Sequence, residues 1–178
     1  MNTTETIRKA VPDDIEKIEK IYNEILENEK NTPSKTGWIK GVYPTGATAK
    51  KALQANELFV MELDKKVVAA ATINKVQVPE YKSANWKYIP ENDDSVMVIH
   101  TLVVSPDCNG KGCGSRFISF YEDFARQNNC RFLRMDTNKT NTAARSLYKK
   151  LGYSEVGIVS CDFNNIPDVQ LVCLEKKL

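Results

Sequence analysis

The stretch that most constrains the fold is VMVIHTLVV, residues 96–104, in which only His100 and Thr101 interrupt a wholly apolar run. Nine such residues closed by Ser105-Pro106 read as a β-strand covered on both faces. A strand of that kind lies inside a sheet, so the chain must also supply covering layers on each side. Directly after it comes CNGKGCGSRF, residues 108–117, with glycine at 110, 112 and 114. Glycine costs conformational entropy on folding, so bare backbone at this density implies that something approaches it closely. Phe117, Phe120, Tyr121 and Phe124 then recur at helical spacing. Strand, glycine-rich turn and helix start together form an anion site, because unpaired amides and the helix dipole point the same way.

The remaining segments supply the layers. TIRKA (6–10) reads as a strand, and Pro12-Asp13-Asp14 open a helix whose apolar face is Ile15, Ile18, Ile21, Tyr22, Ile25 and Leu26. Residues 29–46 mix Pro, Gly, Ser and Thr and read as a loop, followed by a helix over 48–55. LFVMEL (58–63) and KVVAAATINKVQV (66–78) are strands around a DKK turn, and 79–95 is a polar connection. RFLRMDT (131–137) is a strand and 141–151 a helix. The last two strands, SEVGIVSCDF and DVQLVCLEK, flank an NNIP turn. The order β-α-α-β-β-β-α-β-α-β-β predicts a mixed α/β fold in a single domain spanning 1–178.

Charge and composition exclude several partners. Lys plus Arg total 25 against 23 for Asp plus Glu, too balanced for a nucleic-acid surface. No apolar run approaches the roughly 20 residues of a membrane span. The opening MNTTETIRKA has no apolar stretch of signal type, so a cytoplasmic location is expected. Five cysteines without a C-x-x-C pair and a single histidine assemble no usual zinc set, so free thiols and no metal are expected.

Two nucleotide readings of the glycine loop fail on spacing. A dinucleotide fingerprint needs G-x-G-x-x-G, but Ser115 stands where the third glycine counted from Gly110 belongs. A P-loop needs G-x-x-x-x-G-K-[ST], and the nearest candidate, GVYPTGAT from Gly41, has Ala47 in place of lysine. Coenzyme A is the third class. NGKGCG (109–114) after LVVSP resembles the [Q/R]-x-x-G-x-[G/A] pyrophosphate loop of the GCN5-related N-acetyltransferases, with Asn109 where Gln or Arg is usual. NTAARSLYKKLGY (141–153) is similar to that family's N-x-x-A-x-x-x-Y-x-x-x-G-[F/Y] pattern at every defined position. Asn141 and Tyr148 lie about 10.5 Å apart along a helix and nearly on one face.

The resemblance implies a central, mostly antiparallel mixed sheet flanked by helices and an acetyl-CoA co-substrate. It implies acetyl transfer to an amine by direct attack in a ternary complex. Amides of Leu102, Val103 and Val104 would hold the carbonyl, and residues Asn109, Gly110, Lys111, Gly112, Cys113, Gly114 and Ser115 would hold the pyrophosphate. Asn141 would contact the coenzyme, and Tyr148 would place a hydroxyl near its sulfur as proton donor.

Each residue also has a plainer reading: Tyr148 as a ring filling an apolar helix position, Asn141 as an N-cap, Lys111 and Arg116 as solvated cations, Cys113 as core. The general base is the gap. His100 is the one titratable side chain on 96–104, sharing a face with Leu102 and Val104 by alternation, or else is an ordinary core histidine. Glu91, Asp93 and Asp94 are further options. Trp38, Tyr43, Trp86 and Tyr88 either wall the acceptor cleft or anchor loops. The expected acceptor is a small-molecule or peptide amine of unassigned identity, with a homodimer left open. The alternative function is an acetyl-CoA sensor without turnover.

Overall fold

In the computed structural model, which describes residues 4–30 and 35–178, seven strands form one sheet. They are β1 (Glu5–Lys9), β2 (Leu58–Leu63), β3 (Lys66–Asn74), β4 (Val96–Val104), β5 (Phe132–Asn138), β6 (Ser154–Phe163) and β7 (Ile166–Lys177). The spatial order is β1-β2-β3-β4-β5-β7-β6, and every pairing is antiparallel except β4 with β5. Four helices flank it: α1 (Ile15–Glu29), α2 (Gly46–Gln54), α3 (Cys113–Gln127) and α4 (Thr142–Lys150). The mixed α/β class and the mostly antiparallel sheet are as the sequence predicts. Residues 31–34 of the expected 29–46 loop lie outside the described residues.

The apolar stripes decide which layer covers which face. Ile15, Ile18, Ile21 and Tyr22 of α1, with Ala49 and Ala52 of α2, bury Val60, Ala70 and Val103 on one side of the sheet. On the other side Phe117, Ile118 and Tyr121 of α3 pack with Met97, Ile99, Leu133 and Met135, joined by Tyr148 of α4. At the far end of the first face, Tyr81 and Trp86 from the 75–95 connection cover Val96, Val98 and Cys173. β4 is therefore apolar on both faces because it is covered on both faces.

Local differences from the sequence reading have local causes. β3 stops at Asn74 rather than 78, since the chain turns into a 3-10 helix at Pro79–Ser83. The DKK turn is a two-residue loop with Asp64 and Lys65 at φ +48° and +66°. Asn164 and Asn165 play the same part between β6 and β7, at φ +53° and +61°, so β7 starts at Ile166, earlier than expected.

Candidate active site

The cleft arises where two strands that begin paired separate. β4 and β5 pair only at Val96–Phe132, Met97–Leu133 and Val98–Arg134, although β4 runs on to Val104 and β5 to Asn138. From Ile99 onward the edge of β4 facing β5 has no strand partner among the described residues, so backbone groups there are open to a ligand. A bulge accompanies the split. Ala70 pairs with Val103 but Thr72 with His100, leaving two β4 residues opposite Ala71. Thr101 takes φ +52° at this point, an outlier for a β-branched residue, and its Oγ1 is hydrogen-bonded to the Tyr43 hydroxyl. A cavity of about 550 Å³ occupies the gap.

The bulge also corrects the predicted facing of His100. Simple alternation places it with Leu102 and Val104, but the extra residue inverts the parity. Leu102 and Val104 pack with Ile99 against α3, whereas Val103 joins the opposite face. His100 Nε2 meets Asn74 Oδ1 at 3.0 Å. Burial lowers its pKa, opposed more weakly by a hydrogen bond with the Val76 backbone and by the charge of Glu57. His100 still borders the cavity.

At the mouth toward α3 stands the glycine loop. Gly110 and Gly112 take φ +73° and +77°, a conformation that suits glycine, and Gly112 caps the start of α3. The amides that open α3, from Cys113 to Ser115, have no carbonyl one turn back and point out of the helix end. A Cβ at Gly114 would lie 3.1 Å from Leu147 Cδ2, so glycine here lets α3 and α4 approach. Loop and helix start thus present outward amides of a kind that could hold an anionic group, beside the close approach of α4. Arg116 does not face that site: its Nε lies 2.6 Å from Glu5 Oε2, and Nη1 donates to Lys111 O at 2.8 Å. Lys111 and Asn109 are exposed at the loop. The Cys113 thiol is buried, and desolvation pushes its pKa up, so it is a core group and not an activated nucleophile.

Asn141 Oδ1 accepts from Ala144 N at 3.2 Å, the capping role, while the residue also borders the cavity. Tyr148 is 7% exposed, lines the cavity and rests edge-on against Tyr153. Burial, and then the charge of Asp136, hold its pKa well above the usual tyrosine value, so its hydroxyl is protonated and available as a donor.

The mouth on the opposite face is built from loops and the β6–β7 hairpin. Trp38 and Tyr43 line it, packed edge to face at 6.0 Å, opposite Phe163, Ile166 and Val169. Asp136 of β5 lies among them, on the face opposite Met135. Tyr81 donates to its Oδ2 at 2.8 Å. Desolvation is the main reason that its pKa is pushed up to about 6; the Tyr81 bond lowers it and the charge of Glu80 raises it.

Glu91, Asp93 and Asp94 sit exposed before the other end of β4, away from the cavity, and Asp93 accepts from Gln77. Trp86 and Tyr88 are not cavity walls. Trp86 lies under the Arg134 guanidinium at 4.1 Å, and Tyr88 leans on Phe132 at 6.1 Å. Sequence reasoning misses Asp136 and Tyr81, although a signal exists: an acid at the end of a strand whose earlier residues are buried, beside the central strand.

Known proteins match this arrangement, and the family described as Acetyltransferase (GNAT) family covers residues 15–153. The chain belongs to that family. YhfO of Bacillus subtilis, an uncharacterized N-acetyltransferase, is 35% identical over 77 residues, 43% of this chain and 47% of its own length. The chain thus spans about half the length of that curated relative. Among solved structures, a GNAT-family acetyltransferase from Streptococcus agalactiae superposes with a TM-score of 0.81 at 19% identity, over 99% of both chains. The structure of yncA from Salmonella typhimurium, described with its cofactor acetyl-CoA, matches with a TM-score of 0.68 at 18% identity, over 98% of this chain and 94% of that one.

In this chain the glycine loop and Tyr148 belong to the face carrying α3 and α4, and Asp136 to the other. No group of three His, Cys, Asp or Glu among the described residues is placed to hold a metal. No described helix is long and apolar enough to cross a membrane.

Proposed function

We propose that this chain is a single-domain, cytoplasmic, acetyl-CoA-dependent N-acetyltransferase that moves an acetyl group to a primary amine by direct attack in a ternary complex. The observation that carries this reading is the split between β4 and β5, with the glycine loop at one mouth and Tyr148 beside the gap. Acetyl-CoA supplies the acetyl group as a thioester. Amides from Gly110 to Ser115 bind its pyrophosphate, assisted by Asn109 and Lys111 at the loop and by Asn141 at the start of α4. The free edge of β4 along Leu102, Val103 and Val104 offers the amides of Leu102 and Val104 to the carbonyl oxygen as it gains charge, since Val103, like Ser105, turns its amide to β3.

The amine must shed a proton before it attacks, since an alkylammonium has no lone pair. His100, neutral through burial, is one acceptor for that proton in this reading, and Asp136 is the other. Tyr148 donates to the leaving sulfur. With Cys113 buried and its thiol pKa raised, direct attack is preferred to a covalent acetyl-enzyme.

Calorimetric titration with acetyl-CoA tests the binding half, and thiol release on presentation of amines tests turnover. Tyr148→Phe is expected to lower kcat by about 100-fold, the usual size of a proton-transfer contribution, while acetyl-CoA affinity is kept. Binding without thiol release on any amine favours a coenzyme sensor. No binding at all overturns the proposal.

A further inference from the structure

Asp136 is a carboxylate without a counter-charge. The titratable groups that face it are Tyr81 and Glu80 of the 79–83 turn, Tyr43 of the loop, Tyr148 of α4, Cys161 of β6 and Cys173 of β7. None is a cation. Arg134, two residues earlier on the same face, is turned to Trp86 and donates to Tyr88 O at 3.0 Å. Glu80 sharpens the imbalance: its Oε2 is buried and has no hydrogen-bond partner. Tyr81 is the only hydrogen-bond partner of Asp136 among the described residues, and it occupies one oxygen. A half-buried anion in such surroundings favours either protonation or a cationic ligand.

The walls narrow the ligand further. Trp38, Tyr43, Phe163, Ile166 and Val169 are apolar or aromatic, and no lysine or arginine among the described residues lines the cavity. An acceptor bearing its own carboxylate or phosphate would set a second anion near Asp136 with nothing to pair it. A polyamine would leave its further ammonium groups against apolar walls.

We propose that Asp136 receives the acceptor's ammonium and then its proton, and that the acceptor is a primary monoamine on an apolar or aromatic body with no anionic group. This rests on the acetyltransferase reading of the same site. The proton passes from nitrogen to the Asp136 oxygen not bonded to Tyr81, freeing the lone pair. One N–C bond then forms and one C–S bond breaks. Tyr148 gives a proton to the sulfur and recovers one as the second N–H proton leaves nitrogen. Asp136 releases its proton to solvent, so a single proton is liberated per turnover.

The test uses the purified full chain, with 2-phenylethylamine, phenylalanine and spermidine as probes. Phenylalanine carries the same ring and amine as 2-phenylethylamine plus a carboxylate. With acetyl-CoA, kcat/KM for 2-phenylethylamine is expected to exceed that for the other two by about 100-fold or more, as when a buried charge is left unpaired. Asp136→Asn should lower it by about 100-fold and remove the rising limb near pH 6, with acetyl-CoA affinity by calorimetry unchanged. Titration of 2-phenylethylamine without coenzyme should give measurable binding that the variant loses.

Equal amine binding by wild type and Asp136→Asn, or a preference for phenylalanine or spermidine, overturns this proposal and leaves the acetyltransferase reading intact. Failure to bind acetyl-CoA overturns that reading, and the amine titration then judges the ammonium site by itself.

Discussion

Replacing Asp136 by asparagine probes the cost of this carboxylate to the fold, independently of any substrate. Burial moves its pKa from the ordinary 3.8 to about 6. Each pH unit between folded and unfolded values is worth 1.36 kcal/mol, so the ionised group destabilises the folded chain by about 3 kcal/mol above pH 6. Proton binding sets the sign. Between pH 4 and 6 the folded state holds the proton more tightly than the unfolded one, so this group's contribution to stability falls as pH rises. It is fully favourable below the unfolded pKa and fully lost above the folded one.

Asparagine keeps the shape and can still accept from Tyr81, but it does not titrate. The stability of Asp136→Asn relative to wild type should therefore increase by about 2.5 kcal/mol from pH 4 to pH 8. Any fixed cost of the amide cancels in that difference. Urea unfolding at a series of pH values measures it. A difference that is constant with pH, or that grows toward acid, refutes the claim that Asp136 is a partly desolvated charge without compensation.

Tyr81→Phe keeps the ring against Trp86 and removes the hydroxyl that lies 2.8 Å from Asp136. A hydrogen bond to a charged group is worth about 1.5–3 kcal/mol, so the rising limb of kcat/KM should move up by about one to two pH units from near 6; an unmoved limb removes Asp136 from proton transfer. Gly112→Ala puts a Cβ at φ +77° and 2.9 Å from Arg116 Nη1. It should lower stability by about 1–2 kcal/mol and weaken acetyl-CoA binding, as measured by urea unfolding and calorimetry; unchanged affinity would mean that the loop is not the phosphate cradle.

How far the site is legible in the sequence depends on whether its parts are local. VMVIHTLVV announces a central strand, because burial on both faces leaves a one-dimensional mark. The glycine loop and 141–153 announce themselves because each is one turn or one helix, with fixed spacing. The facing of His100 is not legible. It depends on a bulge, in which Thr101 adopts a conformation that its residue type disfavours and is held by Tyr43, fifty-eight positions away. Asp136 is hidden for the same reason. One acid in RFLRMDT says nothing of its surroundings until Tyr81, Glu80 and the β6–β7 hairpin are folded around it. Trp38 and Trp86 look alike as loop aromatics, yet one lines the cleft and the other stacks beneath Arg134.

These departures from ordinary strand behaviour converge on one break in the sheet. β4 and β5 separate after three paired positions, Thr101 takes a positive φ, and Asp136 is desolvated without a cation. Taken separately, each costs stability with no local return. Taken together they border one cavity, and in the proposed reading its α3 side offers amides to phosphate while the other side offers a carboxylate bonded only to Tyr81. A thioester entering from the first mouth and an ammonium from the second would meet at the unpaired edge of β4, beside the Tyr148 hydroxyl. In that reading the two sides would need opposite electrostatics, positive potential for phosphates and negative for the amine. A sheet that keeps them on opposite faces holds the two charges apart, and their mutual attraction falls with that separation.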